Sequence, residues 1–449
     1  MSFKEFKPYP KYKDSGVEWL GEVPEHWPLK RVRYLTKIKK QIAGKLGFDV
    51  LSITQKGIVP KDIESGEGQL SMDYSKYQIV HVGDFAMNHM DLLTGYVDIS
   101  KFEGVTSPDY RVFSLTGDNH DRYYLYLFQM GYHEKIFFHY GQGSSHLGRW
   151  RLPAEAFRDL WFPEPSKREQ TSIASFLDQE TSRIDTLISE KERLISLLKE
   201  YRQALISHAV TKGLDPKVKM KDSGVEWLGE VPEHWEVFKL KYLATICGGG
   251  TPSKLKQEFW EGDIPWVSPK DLKSNAIDDT EDHITKEAVF ESSTQIIPSQ
   301  TVLIVVRSGI LQHTIPIAIN TVPVALNQDM KAILFNKMIN PLYFLYLVTG
   351  LTSLLLLEWR KKGPTVESIE SEYLSNTFIP VPPIFEQNSI AATLLEKTSR
   401  IDTLISQARK FIDLLKEYRS SLITAAVTGK IDVREIVSSG SEKREITHE

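Results

Sequence analysis

The feature that most constrains this chain is that it contains itself twice. The string KDSGVEWLGEVPEHW occupies residues 13–27 and recurs letter for letter at 221–235, 208 residues later. A second matched pair begins at Glu169 and at Glu386, 217 residues apart, and the stretches TSRIDTLIS and LLKEYR are identical in both copies. The segments between, 28–165 and 236–383, share little beyond short echoes such as YYLYL against YFLYL. The layout is therefore a repeated frame holding two divergent inserts, and it is not a solenoid, which stacks many short repeats. Neutral drift does not spare one pair of segments while erasing another in the same chain. A chain built this way folds with approximate internal twofold symmetry.

Length and composition set the outer bounds. A chain of 449 residues predicts two to four domains at roughly 100–200 residues each. With 41% hydrophobic and 25% charged residues, wholesale disorder, collagen and a polytopic membrane protein are ruled out. The formal net charge of −4 excludes a globally basic nucleic-acid coat and leaves room for a local basic face. Cys247 is the one cysteine, so there is no disulfide framework and no zinc site built on several thiolates, which fits a reducing cytoplasm. The N-terminal residues are polar and lack the apolar core of a signal peptide. The most apolar run, 342–357, is short for a spanning helix and carries Gly, Ser and Thr, so it is read as core.

The repeated segments after each insert read as long helices. Ser166 followed by Glu169 matches a capping box, and Pro380, Pro382 and Pro383 open the second copy. Neither segment contains Pro or Gly until Gly213 and Gly429, so each runs about 40 residues, roughly 60 Å. Leu177, Ile184, Leu187, Leu194, Leu198, Tyr201 and Leu205 are placed on the a and d positions of the first copy. Leu394, Ile401, Leu404, Phe411, Leu415, Tyr418 and Leu422 take the same positions in the second. Lys191, whose counterpart in the second copy is the small Ala408, and Glu180 and Lys397, opposite charges at equivalent d positions, are polar exceptions that would fix register. An antiparallel pair within the chain is the simplest arrangement, with pairing between chains as the alternative.

Each insert, about 140 residues, mixes short strands with a helix and predicts an α+β domain. Strands are expected at 48–54, 77–82, 110–115, 301–306 and 315–319, and helices near 122–129 and 342–347. Basic and hydrogen-bonding residues gather at turns: 30–40, 141–151, 248–254, 307–313 and 359–365. Flexible backbone beside Arg, Lys, Gln and Asn suits phosphate contacts and base-edge readout. Motifs for catalysis are poor, with no phosphate-binding loop and no HExxH pair. Asn340-Pro341-Leu342-Tyr343 is similar to the NPPY of amino-methyltransferases but lacks its second proline, and it reads as a helix entry.

Taken in order and doubled, these marks resemble the specificity subunit of a Type I restriction–modification enzyme. They are DSGVEWLG with PEHW before each insert, a Pro-rich turn into Glu-Gln before each long helix, and TGKIDVR at 428–434. FWEGDIPWVSPKDL (259–272) and LNQDM (326–330) resemble recognition-domain sequence of the family. The resemblance implies a non-catalytic subunit in which each of two target recognition domains reads one half of a bipartite, asymmetric double-stranded DNA site. An antiparallel intramolecular coiled coil with an internal pseudo-twofold repeat separates them. Two modification subunits would dock on the helical frame and methylate adenine at N6, and restriction subunits would join them. S-adenosylmethionine, ATP and Mg would reside on those partners, and no membrane is implied. The domains expected are 1–165 and 214–379 for recognition, containing frame segments 13–27 and 221–235. Helices are expected at 166–213 and 380–430, with a flexible tail at 431–449. DNA contacts are expected from Lys45, Thr54, Gln55, Lys56, Asn88, Arg111, Gln142, Ser144, His146, Arg149 and Arg151 in the first insert. In the second they are Thr251, Ser253, Lys254, Ser268, Lys270, Arg307, Ser308, Gln312, His313, Gln328, Lys361 and Thr365. Truncating Arg149 or Arg307 is expected to weaken DNA binding and to lower its salt dependence. Trp19 and Trp227 are read as frame core. A self-contained methyltransferase and a protein-binding coiled-coil scaffold are the alternatives.

Overall fold

In the computed structural model, residues 6–64, 71, 73–143, 150–361 and 367–435 are described, Lys361 by its backbone alone. Contacts divide the chain into two compact units, one from 1–191 with 409–449 and one from 192–408. Two long helices, Lys167–Lys212 and Ile384–Val427, each contribute to both units. The central helix starts at the capping box: Ser166 Oγ and N donate to Glu169 Oε2 at 2.9 and 3.3 Å. Both helices stop at a glycine in the left-handed region, Gly213 (φ 77°) and Gly429 (φ 74°), where a side chain would be strained.

Each unit builds its frame from the repeated residues. In the first, the hairpin Tyr12–Asp14 with Glu22–Pro24 carries Trp27 into the core. In the second, Met220–Asp222 with Glu230–Pro232 carries Trp235. The two tryptophans are fully buried, whereas Trp19 and Trp227 are half-buried at the margins of the two cores. Trp27 lies against the end of the C-terminal helix, where a Cβ on Gly429 would come within 3.0 Å of its ring. The C-terminal residues thus complete the first unit: Tyr12 Oη donates to Gly429 O (2.9 Å) and Asp432 N to Lys7 O (2.8 Å). Residues 431–435, expected to be tail, are packed, with Ile431 and Val433 buried. Residues 436–449 lie outside the described residues.

Several bonds of the frame recur in both copies. His26 Nε2 sits 2.8 Å from Glu169 Oε1, and His234 Nε2 sits 2.8 Å from Glu386 Oε2. Tyr123 Oη donates to Val427 O (3.1 Å), and Tyr343 Oη to Val210 O (3.2 Å). Gln170 donates to Pro165 O and Gln387 to Pro382 O, both at 2.8 Å. The Glu169 carboxyl is held below its usual range: burial pushes it up, and hydrogen bonds from His26, Ser166 and Trp27 outweigh that. Such a carboxyl contributes stability that is present above its unfolded pKa, about 4.3, and lost as pH falls through the lower folded value. Melting midpoints of the first unit between neutral and acid pH should therefore fall less steeply in Glu169→Gln than in wild type. Equal acid limbs would show that this carboxyl carries no part of the acid sensitivity.

Within each unit the two helices run antiparallel. Asp185 pairs with Arg419 in the first (3.1 Å), and Asp402 pairs with its repeat-equivalent Arg202 in the second (3.0 Å). The expected seam is half right. Leu177, Ile184, Leu394, Ile401, Leu415 and Leu422 are buried, and Leu198 and Leu205 are partly so. Leu194, Tyr201, Leu404 and Phe411 are exposed, however, and Leu187 and Tyr418 are partly covered at its edge. The residues one step later, Ile195, Ile405 and Ile412, are buried with Thr181 and Thr398. The alternation of four- and three-residue steps runs through 177, 181, 184, 188, 191, 195 and 198, so Lys191 and Ala408 keep the positions expected. Glu180 and Lys397 do not, because Thr181 and Thr398 take the seam.

The inserts are sheets backed by helices. In the first unit Thr36–Lys39, Arg111–Leu115, Phe85–Met87 and Val97–Ile99 form an antiparallel sheet in that order. In the second, Ala244–Gly248, Met330–Phe335, Val302–Val305 and Ile317–Asn320 repeat that order and those directions, and Ala276–Ile277 adds a parallel edge. The apolar run forms two helices, Pro341–Gly350 and Thr352–Trp359, bent by 87° and mostly buried. No single helix among the described residues is long and apolar enough to cross a membrane.

Candidate nucleic-acid interface

Strand register decides which loops meet. In the second unit Gly248 pairs with Lys331, and Val305 pairs with Met330. The segments leaving 248 and 305 therefore emerge beside the turn at 327–329 that enters the central strand. The glycines at 249 and 250 are required by close approach. Gly250 N donates to Leu326 O (2.8 Å), and a Cβ on Gly249 would lie 2.1 Å from Asn327 O. Thr251 follows and bonds through its hydroxyl to Gln328 Oε1. Ser253 and Lys254 are exposed beyond it.

Arg307 enters the same end from the neighbouring strand. Its Nε donates to Asp329 Oδ1 at 2.6 Å, and its side chain is 55% exposed. Ser308 accepts from Ile310 N (3.4 Å) and caps a turn that presents Gln312 and His313 to solvent. Ile369 N donates to Val306 O (2.8 Å), which brings the paired segments Arg360–Lys361 and Ser368–Ile369 alongside. Thr365 and the Lys361 side chain lie outside the described residues.

Two expected contacts in this unit are occupied otherwise. Ser268 is buried and closes a capping box with Asp271 (2.8 Å). Lys270 is held by Asp282 (2.9 Å) and Glu281 (3.1 Å), whose carboxylates push its pKa up. Its charge is already neutralised by two neighbours. Sequence alone could not show this, because the acidic pair lies on a separate loop.

The equivalent end of the first unit is built alike. Lys39 pairs with Val112, and Met87 with Arg111 and Val97. Lys45 is exposed, with Nζ 5.6 Å from the Phe48 ring centre. Asn88 is half-buried and accepts from Tyr132 Oη (2.7 Å) and Met90 N (3.3 Å). Gln142 and Arg151 face each other through two backbone hydrogen bonds (2.8 and 3.0 Å), and both are exposed. Leu152 N donates to His89 O (2.9 Å) and so fixes this arm beside Asn88. Ser144, His146 and Arg149 lie outside the described residues.

Arg111 is placed as an internal post. It is 5% exposed, donates Nη2 to Leu152 O (3.2 Å) and stacks 4.3 Å over Phe157, and burial pushes its pKa down to about 10. Thr54, Gln55 and Lys56 form a hairpin turn in which the Thr54 hydroxyl bonds to Gly57 O (3.0 Å) and accepts from Lys56 N (3.1 Å). With Tyr96, Asp98, Arg122 and Asp178, Gln55 and Lys56 line a cleft against the long helices rather than joining Lys45 and Asn88. Asp329 was not legible as a site residue, although LNQDM drew notice as a string.

The family described as Type I restriction modification DNA specificity domain matches residues 232–410. The chain is 39% identical over 245 residues to the Type I restriction enzyme EcoR124I/EcoR124II specificity subunit of Escherichia coli, covering 54% of each chain. It is 23% identical over 444 residues to the putative MjaX specificity subunit of Methanocaldococcus jannaschii, covering 92% of this chain and 96% of that one. The match thus spans about half the length of the Escherichia coli relative, and nearly all of the archaeal one at lower identity. Two solved chains share the fold. One, from work on complex assembly and conformational transition of the type I R-M system, has a TM-score of 0.72 at 14% identity, covering 91% of this chain and 99% of that chain. The other, the HsdS subunit from Thermoanaerobacter tengcongensis, has a TM-score of 0.54 at 15% identity, covering 91% and 98%. Residues 232–410 thus match a Type I restriction modification DNA specificity domain, and the chain is similar over nearly its whole length to a Type I restriction enzyme specificity subunit.

Proposed function

We propose that this chain is the non-catalytic sequence-recognition subunit of a Type I restriction–modification complex, each of its two recognition segments reading one half of a bipartite, asymmetric DNA site. The observation that carries this reading is the contrast inside the repeat. Frame contacts recur at equivalent residues, His26–Glu169 with His234–Glu386 and Asp185–Arg419 with Asp402–Arg202. The loops at matching sheet ends differ in sequence and in side-chain pairing. Two matching surfaces suit two copies of one partner, a modification subunit, and two different loop sets suit two different half-sites. Restriction subunits would join that complex, and methylation of adenine at N6 would be the partners' chemistry. S-adenosylmethionine, ATP and Mg would be held by those partners. A mildly acidic chain suits a subunit whose phosphate contacts are confined to part of its surface.

The test is selection from a randomised duplex pool by the complex purified from source cells through a tag on this chain. Enrichment of a split motif with a fixed gap is expected. Salt-dependent binding without any motif would leave a coiled-coil scaffold with non-specific affinity, and the reading would fail.

A further inference from the structure

We propose that Asp329 is a positioning residue that sets Arg307 to read a guanine in the half-site of the second recognition segment. This rests on the reading of the chain as a DNA-recognition subunit. Three bonds tie the arginine to one turn. Val306 N and Arg307 N donate to Asp329 O (2.8 and 3.3 Å), and Arg307 Nε donates to Asp329 Oδ1 (2.6 Å). The turn is itself held: Asp329 N donates to Oδ1 of the buried Asn327 (3.0 Å), whose backbone N donates to Val267 O (2.9 Å). With Nε taken, the two Nη groups, given no partner among the described residues, form the open edge of a rigid planar fork. That edge matches O6 and N7 of guanine in the major groove, the commonest specific side-chain–base pairing.

The surroundings favour readout over a solvated ion pair. An exposed arginine–aspartate pair contributes little to folding, so stability does not explain why this side chain is fixed on a half-exposed loop. The same turn holds a second exposed reader, because the Thr251 hydroxyl bonds to the Gln328 side chain. The glycines at 249 and 250 let the backbone close onto that turn.

The test applies the same pool selection to Arg307→Lys and Asp329→Asn. Both leave the sheet untouched, and Arg307→Lys keeps the positive charge. The expected result is loss of one guanine from one half of the motif in Arg307→Lys, with affinity for the wild-type site lowered roughly 10- to 100-fold. Asp329→Asn should relax the same position less, at an unchanged salt slope. Retention of the other half-site in the same pool shows that each variant is folded. A motif identical to wild type in both variants would overturn the proposal. So would a uniform fall in affinity across all sequences with the motif unchanged, which marks a contact that carries no sequence information. Absence of any motif with wild type would instead defeat the underlying reading of the chain.

Discussion

Replacing Trp27 by alanine is expected to destabilise the first unit by about 3–5 kcal/mol, the range for emptying a buried tryptophan site. The indole has no exposed surface, packs edge-on to Tyr9 at 5.5 Å, and meets the last turn of the C-terminal helix at Gly429. Its Nε1 also donates to Glu169 (3.3 Å), so truncation strips a partner from a buried carboxylate. The site joins residues more than 400 positions apart in sequence and cannot collapse without opening the unit. Trp235 is its repeat-equivalent, and its Nε1 finds no hydrogen-bond partner among the described residues. Phenylalanine should therefore be tolerated better at 235 than at 27. Urea titration of the full chain, with hydrogen exchange assigning protection to each unit, measures both. A loss below about 1 kcal/mol for Trp27→Ala would contradict this packing.

The second large effect separates neighbours of nearly identical chemistry. Ile405→Ala should cost about 2–4 kcal/mol, and Leu404→Ala less than about 1 kcal/mol. Ile405 is 7% exposed on the seam, while Leu404 is 43% exposed one step around the helix. Thermal unfolding of the two variants of the full chain decides it. A larger loss in Leu404→Ala would mean that the helices pair through the register first read from the heptads.

That misplacement shows where sequence reading reached its limit. The identical segments disclosed two frames, two long helices and their capping box at Ser166, because local bonding determines each of these. Asn340 is likewise a helix entry as read, its side chain accepting from Leu342 N at 2.7 Å. One interior strand of each sheet falls within a stretch expected, Arg111–Leu115 and Val302–Val305, whereas the interior strands Phe85–Met87 and Met330–Phe335 were not expected, and 48–50 precede their strand. Choosing between Leu404 and Ile405 was harder, because adjacent apolar residues satisfy the same heptad template and the partner helix selects one of them.

The site was less legible still. Residue type suggested Arg111, Ser268 and Lys270 as contacts, yet tertiary neighbours claim all three: Phe157 and Leu152, Asp271, and the Asp282–Glu281 pair. Arg307, Gln328 and Thr251 were found separately by type, and strand register brings them to one end. Asp329 is of a type that repels phosphate, so residue type does not point to it, and its proposed value lies in the arginine that it orients.

The most direct test of the account is a genome-wide map of N6-methyladenine in the source cell, in wild type, in a deletion of this gene and in the complemented deletion. The account predicts that one split motif loses its modification on deletion and regains it on complementation, revealing both half-sites and the gap between them. A map in which every modified motif survives the deletion would contradict it.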